Sequence, residues 1–213
     1  MKKAMTIGEL LVTMSIIGII ATLVLPGFLK DYHNKLYVAH LKKVYEMLDS
    51  AVNQACSDNN VSYFYQTPYA KHNVTGPLNE YGFVNNYLKR STRTVTTTKS
   101  FSVKYTKLNG SSDTAANGHP LPPLPQDIAW ARLAGGETVA FSCGDPYCLF
   151  YVDINSTDGP NIYGRDFFTI TLNTRTNELG GGRYSATDCL DGTKRYGIGC
   201  LEKIMQENWE MKY

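Results

Sequence analysis

Three groups of residues in this sequence have types and spacings that could do chemistry. They are a lone carboxylate, Glu9, inside an otherwise uncharged apolar run, five cysteines at 56, 143, 148, 189 and 200, and a run of Asp and Asn between 153 and 166. Glu9 makes the strongest demand, because an ionised carboxylate within a membrane segment costs a few kcal/mol even on the mildest scale. A chain that keeps one there needs a partner for it. Cys143 and Cys148 bracket a Gly-Asp-Pro-Tyr turn, and Cys189 and Cys200 bracket a Gly-rich loop. Five cysteines with one left over allow about 15 pairings. Bridges 143–148 and 189–200 with Cys56 free are therefore a preference for local pairing, not a deduction. Neither pair has zinc-knuckle spacing with a matching His pair.

In the third group, side-chain oxygens of Asp153, Asn155 and Asp158, with a further carboxylate at Asp166, could wrap a calcium ion. Asn, Asp, Gly and Pro are also what a tight turn uses, and full calcium-hand spacing is missing, so the segment reads first as an Asx-type turn. No enzyme is expected. The histidines at 33, 40, 72 and 119 are scattered, and no Gly-x-Ser-x-Gly, His-Glu-x-x-His or phosphate-loop pattern occurs. Gly180-Gly181-Gly182 lacks the following helix pattern that would make it a phosphate cradle.

The elements that must position these groups start at the N-terminus. Met5 to Leu29 carries no charge but Glu9 and is long enough to span a bilayer with some tilt. Lys2 and Lys3 precede it, which places the N-terminus on the cytoplasmic side and sends the rest outward. The apolar run exceeds that of an ordinary secretory signal, and Leu25-Pro26-Gly27 is a poor cleavage site. Beyond it, Tyr37, Leu41, Val44, Leu48, Ala51 and Ala55 recur at 4-3-4-3-4 spacing, the stripe of an amphipathic helix. One helix is thus predicted over Met5–Cys56, with Pro26 favouring a kink.

The sequence has 213 residues, 43% hydrophobic and 19% charged, with formal net charge +2, so it describes a foldable chain. Lys2 and Lys3 account for the whole excess (+2 − 2 = 0), which gives no reason to expect a nucleic-acid partner. Residues 57–126 are weakly patterned and rich in Tyr and Phe. His119-Pro-Leu-Pro-Pro-Leu-Pro125 reads as a rigid spacer, and Lys89, Arg90, Arg93 and Lys99 read as a solvated loop. Ile128–Leu133, a Gly135-Gly136 turn and Thr138–Cys143 form a predicted hairpin, followed by strands at Leu149–Ile154 and Phe167–Leu172. A short helix is expected after Gly199, with Leu201, Ile204 and Met205 on one face. The predicted class is α+β: a long N-terminal helix, half transmembrane and half amphipathic, packed on a C-terminal antiparallel sheet of about four strands.

The stretch Lys3-Ala4-Met5-Thr6-Ile7-Gly8-Glu9-Leu10-Leu11 resembles the leader and cleavage segment of type IV pilins and type II secretion pseudopilins. The resemblance implies a cut by prepilin peptidase between Ala4 and Met5, followed by N-methylation of Met5. The family usually has Gly and Phe where this chain has Ala4 and Met5. Glu9 corresponds to the family glutamate, Pro26 to the proline where the family helix bends, and Gly18–Pro26 to the part that can lose regular structure in filaments. The resemblance covers about the first 55 residues. It further implies a pilin-like head, a C-terminal disulfide loop at Cys189–Cys200, and other pilin or pseudopilin subunits and an inner-membrane assembly platform as partners. The location implied is the inner membrane, then a periplasmic pseudopilus or a surface pilus. The expected organisation is leader 1–4, filament-core helix 5–29, amphipathic continuation 30–56, connecting region 57–126, and sheet with Cys-bounded loop 127–213. The length points to a minor subunit. A DNA-uptake minor pilin and a membrane-tethered binding domain that never assembles are the alternatives.

Overall fold

In the computed structural model the described residues are 6–70, 80–88, 96–97, 104–113, 129–144, 146–156, 158–180 and 182–213. The chain divides into two compact units, residues 1–36 and 37–213. Helix α1 runs through Ile7–Asp58, two residues later at each end than expected. It contains Gly18 and Pro26 without interruption, although Pro26 has no N–H to give to the carbonyl of Thr22. In the first unit its apolar side chains have nothing to cover them: Ile7 is 79% exposed and Leu23 77%.

In the second unit the sequence stripe becomes a buried face. Leu41, Val44, Leu48, Ala51 and Ala55 are buried, and Tyr37 packs half-buried against them. They join one core with the inner face of an antiparallel sheet. The sheet comprises β1 (Thr96–Thr97), β2 (Ala129–Arg132), β3 (Thr138–Cys143), β4 (Tyr147–Asp153), β5 (Phe167–Asn173) and β6 (Leu179–Gly180), paired in chain order. Strands β2 to β5 are the four expected from sequence. The expected count is too low, because the two-residue pieces β1 and β6 extend the sheet at its edges. Such short segments show no alternation to read.

Period-two alternation sets what each face carries. Val139, Val152 and Phe168 lie side by side across β3, β4 and β5, as do Phe141, Phe150 and Ile170, and all six are in the core beneath α1. The opposite face is covered as well. Ala140, Tyr151 and Phe167 pack there with Tyr105 and Tyr163, whose rings stack at 5.1 Å. The weakly patterned region contributes more to the core than its sequence suggested. Helix α2 (Glu80–Tyr87) inserts Phe83 against Phe141 and Phe150, and Phe64 packs edge-on against Phe83. The Pro-rich run 119–125 and Lys89, Arg90, Arg93 and Lys99 lie outside the described residues. At the C-terminal end, α3 (Ala186–Leu190) starts on a Ser185 cap, and α4 (Cys200–Gln206) buries Leu201 and Ile204 as expected.

Candidate functional site

The first described residues already contain the group that the sequence singles out. Ala4 and Met5 lie outside the described residues, and Thr6 opens α1. The Thr6 N–H and the Thr6 hydroxyl each donate to Glu9 Oε2 at 2.8 Å, while the Glu9 N–H donates to Thr6 Oγ1 at 3.3 Å. This is a reciprocal capping box, in which a Thr and a Glu three residues on satisfy orphan donors of the first turn. The pattern Thr-x-x-Glu, legible in the sequence, thus gives Glu9 a partner inside its own chain. The carboxylate also sits at the positive end of the helix dipole, which favours it there. Thr6 and Glu9 are exposed, so the carboxylate is accessible.

The surrounding helix is long and apolar enough to cross a membrane. Its best 18-residue window has mean hydropathy 2.3 and none of that window is buried. Thr13, Ser15 and Thr22 turn their hydroxyls back to the carbonyls of Leu10, Leu11 and Ile19, which removes their donors from an apolar surrounding.

The cysteines pair as the local preference had it. Cys143 and Cys148 face each other across the β3–β4 hairpin and are bridged. A second bridge joins Cys189 of α3 to Cys200 at the start of α4, with Cα atoms 4.6 Å apart. Cys56 is free and buried near Asn177, and burial pushes its thiol up. That leaves it a poor nucleophile.

The Asp/Asn run folds into a turn held largely by its own hydrogen bonds. Asp166 accepts from the backbone N–H groups of Asn161 and Ile162, both at 2.6 Å, and Asp153 accepts from the Tyr105 hydroxyl and the Asn155 N–H. Asn155 donates to the Gly159 carbonyl, and Asp158 is exposed. Burial, with Asp166 as a second cause, raises the Asp153 carboxyl to about 9, and burial raises Asp166 to about 6. Among the described residues no three His, Cys, Asp or Glu side chains group closely enough to hold a metal ion. Donors already reach the Asp153 and Asp166 oxygens, while Asn155 Oδ1 is buried without a hydrogen-bond partner. Tyr105 lies 48 positions from Asp153, which put this contact beyond sequence reasoning.

One further charged cluster ties the sheet to α1. Glu137, 1% exposed, lies 3.1 Å from His40 Nδ1 and 3.2 Å from Lys43 Nζ. Burial pushes its carboxyl up, but a backbone N–H, His40 and Lys43 outweigh that and hold it below the ordinary value.

With this geometry in view, the comparisons add no relative: no family model, no curated protein and no solved structure matches the chain.

Proposed function

We propose that the chain is a structural subunit of a type IV pilus or type II secretion pseudopilus, a minor pilin or pseudopilin. It enters the inner membrane, loses Met1–Ala4 to prepilin peptidase and assembles through its N-terminal helix, with residues 37–213 as the head. The observation that carries this reading is Glu9, one accessible carboxylate at the start of the uncovered apolar stretch of α1. In a bilayer that charge needs a cation. The cut at Ala4–Met5 creates one, the amine of Met5. Glu9 of one subunit and the amine of its neighbour neutralise each other and set the stagger between copies. The cap that Thr6 makes gives Glu9 hydrogen bonds until that exchange takes place.

The test is the N-terminal mass of the mature chain, in a host with and without its prepilin peptidase, together with filament counts for Glu9→Ala. The expected results are loss of the first four residues only where the peptidase is present, and few or no filaments from the variant. A full-length chain in the peptidase-containing host, or undiminished filaments from Glu9→Ala, would refute the proposal and favour the tethered domain.

A further inference from the structure

Three described asparagines stand two positions before a Ser or Thr, in Asn60-Val-Ser62, Asn109-Gly-Ser111 and Asn155-Ser-Thr157. Asn-x-Ser/Thr is the acceptor pattern for an N-linked sugar on an exported chain. A fourth, Asn73-Val-Thr75, lies outside the described residues. So short a pattern recurs by chance, and what separates the three is the state of the side-chain amide. At Asn155 the amide nitrogen donates to the Gly159 carbonyl at 2.8 Å, and its Oδ1 is buried. At Asn109 the Oδ1 accepts from the N–H and the hydroxyl of Ser111, at 2.9 and 2.7 Å, which closes the motif on itself. Asn60 is different. Asn60 and Ser62 are exposed, and among the described residues the Asn60 amide and the Ser62 hydroxyl make no hydrogen bond. Asn60 follows α1 in the left-handed conformation, φ 52°. Its N–H donates to the Ser57 carbonyl and the Val61 N–H to the Cys56 carbonyl, both at 3.0 Å. That closure satisfies the helix-end carbonyls through the backbone alone and leaves the Asn60 amide unused.

We infer that Asn60 is the acceptor for an N-linked oligosaccharide. The inference rests on the part of the filament reading that sends residues 37–213 out of the cytoplasm. The donor class is an oligosaccharide carried on a polyprenyl diphosphate. Asn60 Nδ2 forms a bond to the anomeric carbon as that carbon's bond to the diphosphate oxygen breaks. The diphosphate leaves with the electron pair, and the amide gives one proton to a base of the transferase. An amide nitrogen shares its lone pair with its carbonyl and attacks poorly unless the group is turned out of conjugation. A side chain already bonded, as at Asn109 and Asn155, resists that turning. Ser62 supplies the hydroxyl of the motif, and exposed Asp58, two positions before Asn60, adds a carboxylate beside it. The surroundings also offer the sugar a surface. Tyr63 and Tyr65 are 43% and 46% exposed, with rings stacked 6.1 Å apart. The C–H groups of a pyranose pack on the negative face of such rings.

The test is the mass of the full-length chain from a host with an oligosaccharyltransferase and its lipid-linked oligosaccharide, and from the same host without the transferase. Wild type is expected to gain one oligosaccharide, on the peptide that contains Asn60, only where the transferase is present. Asn60→Gly keeps the left-handed turn and removes the amide, whereas Ser62→Ala keeps the amide and removes the hydroxyl. Each is expected to abolish the gain, while Ser62→Thr retains it. Cooperative unfolding in detergent checks that every variant folds. Thiol alkylation of the same samples scores export, since bridged Cys189 and Cys200 mark a head that has reached an oxidising compartment. An exported wild-type chain with no sugar, sugar only at Asn73, Asn109 or Asn155, or a gain that survives Ser62→Ala would overturn the inference and leave the filament reading standing. Reduced cysteines in wild type would remove the exported head, and the filament reading and this site would fall together.

Discussion

Replacing Lys43 with Met tests whether the buried Glu137 carboxylate depends on the ammonium beside it. Glu137 is 1% exposed, whereas Lys43 is 62% exposed and the His40 side chain 37%. A bare Coulomb sum for charges 3.2 Å apart would give several kcal/mol. Solvent around Lys43 screens most of that, so Lys43→Met is expected to cost about 1 kcal/mol at neutral pH. Glu137→Met leaves Lys43 and His40 free to rehydrate. It also places a flexible apolar side chain beside a cavity of about 210 Å³ lined by Val44, Met47, Leu133 and Ala134. The double variant, with neither charge, is expected to lie within about 0.5 kcal/mol of wild type. The assay is thermal unfolding of the full-length chain in detergent, where 1 kcal/mol corresponds to roughly 2–4 °C for a chain of this size. The pH dependence has a definite sign. The folded carboxyl is held below its ordinary value, so the stabilisation is present above the unfolded pKa and is lost as pH falls through the folded one. Wild type should therefore lose more stability on acidification below about pH 4 than the double variant does. A coupling energy under about 0.3 kcal/mol, or identical acid profiles, would refute the reasoning.

Asp153→Asn is expected to stabilise the chain increasingly from pH 5 to pH 8. The raised Asp153 carboxyl contributes stability that is complete below the unfolded pKa and drains away as pH rises towards about 9, with a limiting slope of about 1.4 kcal/mol per pH unit. Parallel unfolding curves for the two proteins across that range would contradict it. Leu48→Ala removes a fully buried side chain from the α1 face and should cost about 2–5 kcal/mol, read as a fall in Tm. Cys189→Ser with Cys200→Ser opens a loop with a sequence separation of 11 and is expected to cost about 3 kcal/mol, read by unfolding with and without reductant.

The legible parts of this fold are those with a strong period. The 4-3-4-3-4 stripe became the buried face of α1, because burial on one side of a helix writes itself into the sequence, and the apolar runs bounded by turn residues became β2 to β5. Phe64 and Phe83 were visible only as aromatic content. Their burial depends on where a short helix docks, which no local pattern encodes. The outer aromatic layer was missed for the same reason, since Tyr105 and Tyr163 reach the sheet from loops. At the candidate site, Glu9 was conspicuous by its charge. Its bond to Thr6 is spelled out three residues away as a capping box, a signal of the helix end that is separate from the apolar span. The Glu137 cluster joins residues 94 and 97 positions apart and left no trace in the sequence.

Strand order in the sheet equals chain order, and this bears on how the head comes to exist. Strands β2 to β6 each join the next across a short connection, so their loop-closure entropy is spent in small instalments, while β1 reaches β2 only by closing the long connection from Thr97 to Ala129. A chain made from its N-terminus has the apolar stripe of α1 available before any of the strands that pack on it. The bond between Cys189 and Cys200 can only close at the end. Until it does, α3 and α4 are held together by packing alone, and the bond then limits how far they can part.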